Sequence, residues 1–152
     1  MFLVTFRREK FRDCKSLESV EIPNSVTKIG DYAFQGCKSL SSVEIPSSVK
    51  KIGDKAFMCC AINELSHPCL TIKNGCAVED NKILYCASQN SSIIIPDGVT
   101  EIVDCAFQGC KSLSSVEFGG TVKQWEAMEF GADWKDGVPA KSVKCADGEV
   151  KL

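Results

Sequence analysis

Ten cysteines and one histidine are the residues of this chain with the greatest chemical reach. Cys69, Cys76 and Cys86 follow His67 closely, so a zinc site or a thiolate nucleophile in the stretch from Cys60 to Cys86 is the first chemistry to test. Zinc sites favour C-x-x-C pairs, whereas these cysteines are spaced by seven and ten residues and Cys59-Cys60 is an adjacent pair. A single histidine also excludes any site that needs two. His67, between Ser66 and Pro68, reads as an exposed loop residue, and the cysteines read as hairpin packing. The expectation is therefore no catalytic residue, no metal and no cofactor.

Glu21, Glu44 and Glu117 are a second constellation, because each follows a Ser-Val pair, and Ile94 stands at the equivalent place in a fourth segment. Stacked strands would bring such glutamates within about 5 Å of one another, where like charges repel. Read functionally, Glu21, Glu44, Ile94 and Glu117 are ligand-binding candidates: an acidic stripe with one apolar contact that receives a basic segment of a protein partner. Read structurally, they are a solvated face that repeat duplication produces automatically.

What must position these residues is a repeat. Ala33 to Glu44 recurs without change as Ala106 to Glu117. Cys14, Leu17, Val20, Ile22, Pro23, Val26, Ile29, Ala33 and Phe34 reappear 23 residues later, ending at Ala56 and Phe57. That period, with apolar residues at fixed offsets, is the mark of a solenoid whose coils bury one another.

Within a coil, Ser19-Val20-Glu21-Ile22 alternates with period two, which predicts a short strand with Val20 and Ile22 inward and Glu21 outward. Pro23 ends it for want of an N–H. Val26 and Ile29 give a second inward pair, Gly30-Asp31 turns the chain, and Ala33 and Phe34 close the coil. The chain then divides as one domain, 1–152. Residues 1–13 are a partial coil with little match to the repeat, 14–59 two 23-residue repeats, 60–92 an insert, 93–118 resumed repeats and 119–152 a C-terminal cap. In the insert, Leu70-Thr71-Ile72, Asn74-Gly75 and Cys76-Ala77-Val78 predict a hairpin with a type I′ turn, and Ile83-Leu84-Tyr85 a further strand. In the cap, Thr121 is placed to N-cap a short helix bearing Val122, Trp125 and Met128 on one face. Trp125 and Trp134 read as cap core rather than as a sugar platform.

A net charge of -2 and a pI near 5.5 supply no basic stripe, so nucleic acid is excluded as a partner. No apolar run reaches the roughly 18 residues of a membrane span, and Met1 to Cys14 reads as neither a span nor a signal peptide. The start in mid-coil predicts that an N-terminal portion is missing. Cys14, Cys37, Cys60 and Cys110 share one repeat position, where stacking predicts a column of buried thiols donating to carbonyls. Disulfide bonding between neighbours stays open, because adjacent coils are close enough to allow it.

The unit Cys-x-x-Leu-x-x-Val-x-Ile-Pro-x-x-Val-x-x-Ile-Gly-x-x-Ala-Phe resembles the BspA-like, or Treponema pallidum-type, leucine-rich repeats. The match covers Phe11 to Phe57 and Asn90 to Phe118; Ile72 to Cys86 is similar to an insert of that family. Gly120-Thr121 with Trp125, Trp134 and Cys145 is similar to its closing segment. Lys10 in place of Ala and Val103 in place of Gly depart from the pattern. The resemblance implies a mostly β, right-handed, curved leucine-rich-repeat solenoid with a hairpin-bearing double-length unit and a helix-containing cap. It also implies a non-enzymatic, cell-surface or secreted module that adheres to matrix or serum proteins such as fibronectin or fibrinogen. The alternative is a structural stalk or capping fragment of a larger surface protein, with no binding of its own.

Overall fold

The computed structural model describes residues 4–6, 9–87 and 89–152, the first three by their backbone alone. The chain winds as a β-solenoid of about five turns with very little helix. Strands β1 (Val4–Phe6), β2 (Ser19–Glu21), β3 (Val26–Ile29), β4 (Ser42–Glu44) and β5 (Lys51–Ile52) build the first coils. The insert comprises β6 (Leu65–His67), β7 (Leu70–Lys73), β8 (Cys76–Glu79) and β9 (Lys82–Cys86). After it come β10 (Ser92–Ile95), β11 (Glu101–Ile102), β12 (Ser115–Phe118), helix α1 (Val122–Glu126), β13 (Glu129–Phe130), β14 (Ser142–Cys145) and β15 (Gly148–Lys151).

Each coil gives one strand to each of two faces. On the first face β2 pairs with β4, and separately β10, β12, β14 and β15 line up in that order. On the second face β1, β3 and β5 form one sheet, while β13, β11 and β9 continue through β8 and β7 to β6. Coil-to-coil pairs are parallel, whereas the insert strands pair antiparallel. The residues before Phe11, expected to match the repeat poorly, contribute β1, whose Phe6 stands in register with Ile29.

The corners explain the repeated residue types. Tyr32, Lys55, Cys105 and Asp133 each hold a left-handed φ between 50° and 55°. The turn expected at Gly30-Asp31 thus reverses one residue later, and the glycine serves a different end. A Cβ on Gly53 would lie 2.3 Å from Asp31 Oδ1 and 2.6 Å from the Gly30 carbonyl carbon, so only glycine lets the coils approach. Val103 fills that position without conflict because the strand before it in the stack is β9, which its N–H joins at the Ile83 carbonyl (3.1 Å), and β9 carries no Gly-Asp turn. A second left-handed corner falls at Asp13, Gly36, Cys59 and Gly109.

Phe11, Phe34 and Phe57 stack face to face with 5.2 Å between successive centroids. After the insert the same position passes to Phe107 and Trp134, and the Phe107 N–H donates to the Trp134 carbonyl at 2.9 Å. The interior is two clusters: one runs from Ile22 to Ala87, the other from Cys76 to Cys145. Strand β9 serves both, giving Ile83 and Cys86 to the later cluster and Tyr85 to the earlier.

The hairpin predicted around Asn74-Gly75 forms, with Lys73 opposite Cys76 and both turn residues left-handed (φ 51° and 77°). His67 departs from expectation. It lies in β6, half-buried and opposite Leu70, with Nδ1 accepting the Cys69 N–H at 3.1 Å. The two-residue turn at Pro68-Cys69 carries no Gly or Asn signal, which is why the strand before it reads as loop. Thr121 caps α1 in a capping box with Gln124, and Trp125 is the helix's buried residue. Met128, also buried, lies beyond the end of the helix.

Candidate functional site

The first face carries the glutamates. Glu21 is directly opposite Glu44 in the β2–β4 pair, both exposed, above a shallow depression of about 310 Å³ bordered by Pro23, Asn24 and Pro46. Neither glutamate forms an ion pair among the described residues. Their strands alternate because Val20 and Val43 turn inward between exposed serines and glutamates.

Glu117 does not join this pair. It belongs to the other sheet of the face, where its neighbours are Ile94 on one side and Lys144 on the other. Lys144 in turn faces Glu149, which accepts a hydrogen bond from the Ser142 hydroxyl. Ile94 is 47% exposed, one of two large apolar side chains left open to solvent among the described residues. The face therefore has two parts: a like-charged pair at Glu21 and Glu44, and a mixed strip of Ile94, Glu117, Lys144 and Glu149. The insert interrupts strand stacking between them, which a constant period hides.

The cysteines are all thiols. Cys37 Sγ donates to the Phe11 carbonyl at 3.0 Å and Cys60 Sγ to the Phe34 carbonyl at 3.2 Å, so two members of the expected column behave as buried donors. Burial pushes the Cys37 thiol up to about 11 and raises Cys60 further. Cys14 departs from the column and is exposed. Cys110 also differs, since the neighbouring thiols of Cys59 and Cys86, more than burial, raise its own. Cys86 stands opposite Cys76 across β8 and β9. No group of three or more His, Cys, Asp or Glu among the described residues has the arrangement of a metal site.

A feature with no signal in the sequence is the cleft where the β1-β3-β5 sheet stops. It encloses about 270 Å³ between Ile52, Gly53 and Lys55 on one wall and Cys69, Glu79 and Tyr85 on the other. Burial raises the Tyr85 phenol, with the Phe57 backbone opposing the shift. The cleft lies where the insert strands leave the path of the coils, a departure that the repeat spacing does not show.

The family described as BspA type leucine rich repeat region, in 6 copies, matches residues 4–132. No curated protein matches. Among solved structures, a leucine rich cell surface protein from Faecalibacterium prausnitzii is 19% identical, with a TM-score of 0.53 over 91% of this chain and 44% of its own. The pneumococcal vaccine antigen PcpA is 16% identical, with a TM-score of 0.53 over 84% of this chain and 39% of its own. The chain thus spans less than half the length of either, and at these identities the likeness concerns the fold.

Proposed function

The chain belongs to the BspA-type leucine-rich repeat family, and from that premise we propose a non-enzymatic protein-binding module of a cell-surface or secreted protein. It adheres to a host, matrix or serum protein through the first face. The observation that carries this reading is the Glu21–Glu44 pair: two exposed carboxylates in register on adjacent strands, with no cation of this chain paired to either among the described residues. A Lys or Arg of a partner placed between them relieves their repulsion and gains two charge-assisted contacts. Ile94 and Glu117 supply a second, partly apolar contact further along the face. Repeat solenoids commonly offer such extended surfaces to other proteins. The description of a similarly folded protein as a cell surface protein supports the location.

The test is retention of matrix and serum proteins, fibronectin and fibrinogen among them, on the immobilised chain, beside a variant with Glu21, Glu44 and Glu117 changed to Lys. Specific retention that the variant loses, and that falls as salt is raised, bears out the reading. Retention by neither chain refutes the face as a binding site. That result leaves the stalk or capping role.

A further inference from the structure

Four cysteines that the sequence scatters over 52 positions, Cys59, Cys76, Cys86 and Cys110, meet where the insert joins the coils. Among them Cys59 occupies an unusual place. It takes the left-handed corner (φ 58°) that the coils before and after fill with Gly36 and Gly109. A β-carbon there is strained, and packing alone favours the glycine those coils use. The strained backbone aims the thiol at the next coil: Cys59 Sγ donates to the Gln108 carbonyl at 3.2 Å, and a Cβ on Gly109 would lie only 2.9 Å from it. The next residue is Cys110, so the Cys59 thiol lies against the backbone that leads directly into it, and each thiol is the first influence on the other's ionisation. The two belong to different interiors, Cys59 to the cluster of the early coils and Cys110 to that of the later ones.

We infer that Cys59 and Cys110 are a reversible disulfide pair which, when oxidised, fastens the early coils to the later coils across the insert. The oxidant is a low-molecular-weight disulfide of the glutathione class. The Cys59 thiolate attacks one sulfur of that disulfide, forming a mixed disulfide and releasing one thiolate. Cys110 then gives up its proton and attacks the Cys59 sulfur, releasing the second thiol. Two protein thiols are oxidised, one small disulfide is reduced to two thiols, and atoms and electrons balance. Cys59 suits the attacking role. It is the less buried of the two, 7% exposed against 3% for Cys110, and the neighbouring Cys110 thiol, with support from Lys38 and Lys55, lowers the pKa of its thiol against the opposing effect of burial. Cys37, Cys60, Cys76 and Cys110 are all raised instead. Cys76 and Cys86, though opposite one another, lie wholly inside the insert and join nothing across it.

The experiment equilibrates the whole folded chain with reduced and oxidised glutathione at a series of ratios, quenches with acid, alkylates and maps the linked peptides by mass. The expected result is one principal link, Cys59 to Cys110, reversed by excess reduced glutathione. The oxidised chain should melt at least about 5 °C above the reduced one. Cys59→Gly restores the residue that the coils immediately before and after use, Gly36 and Gly109, so it keeps the fold by circular dichroism while losing both the link and the rise. The inference is overturned by no link at any ratio, by a principal link of Cys86 to Cys110 or Cys76 to Cys86, or by an oxidised form that melts no higher than the reduced one.

Discussion

The carboxylate of Asp31 accepts a hydrogen bond from the backbone N–H of Asp54, one coil further on, at 3.1 Å. Asp104 repeats the arrangement with the N–H of Ala132 at 2.7 Å. Asp31, after Gly30, and Asp104, after Val103, are therefore rungs between coils, each holding a backbone donor that the strand ladder leaves out.

Replacing Asp31 or Asp104 with Ala should lower stability by about 1–2 kcal/mol, the cost of losing a charged acceptor from a backbone N–H. Asp54→Ala is the control. Its side chain makes no hydrogen bond among the described residues, so urea unfolding should change by no more than about 0.5 kcal/mol.

The glycines divide into two kinds. Gly53→Ala places a methyl against the Gly30-Asp31 backbone and should cost about 1–3 kcal/mol or prevent folding, as overpacking against immobile atoms does. Gly98→Ala meets nothing nearer than 3.9 Å and should be neutral in the same unfolding assay.

The phenylalanine stack carries much of the early coils' burial. Phe34, fully buried between Phe11 and Phe57, should cost about 3–5 kcal/mol when changed to Ala. Phe34→Leu, which keeps most of the volume, should cost clearly less in equilibrium denaturation.

How much of this was legible in the sequence depends on the residue. Val20, Ile22, Val26, Ile29 and Phe34 declared their sides because their spacing repeats, and Asn74-Gly75 declared its turn because few other pairs accept two left-handed residues. The rungs at Asp31 and Asp104 were hidden, since an aspartate at a coil corner reads equally well as turn composition. His67 was misplaced as loop because its strand is half-buried and ends in a turn without a sequence signal. In the candidate site, the Glu21–Glu44 contact followed from a constant offset, but the separation of Glu117 did not. Where the offset breaks, sequence alone gives no position for the coils on either side. The approach of Cys59 to Gln108 and Gly109 was hidden for the same reason.

Alkali should destabilise the fold through its buried thiols. Cys37 is raised from 9.0 to about 11 in the folded chain, chiefly by burial, so above pH 9 the unfolded state releases its proton first. The stability it contributes is fully present below about pH 9 and is lost as pH rises through about 11. Cys60, Cys76 and Cys110 act in the same direction. Melting followed from pH 7 to 11 should fall less steeply for Cys37→Ser, which keeps a donor for the Phe11 carbonyl; equal slopes for the two chains would contradict this account.

The division of the interior into two clusters, with β9 as their shared wall, sets how far a disturbance travels. In a stack of coils each layer depends on its nearest neighbours, so cooperativity is only as strong as the weakest seam. That seam is the insert. Damage at Phe34 loosens the layers on its own side, while those around Phe107 and Trp125 keep their packing. The chain should therefore melt as two units, and a change to the coils on one side should leave the packing of the other in place.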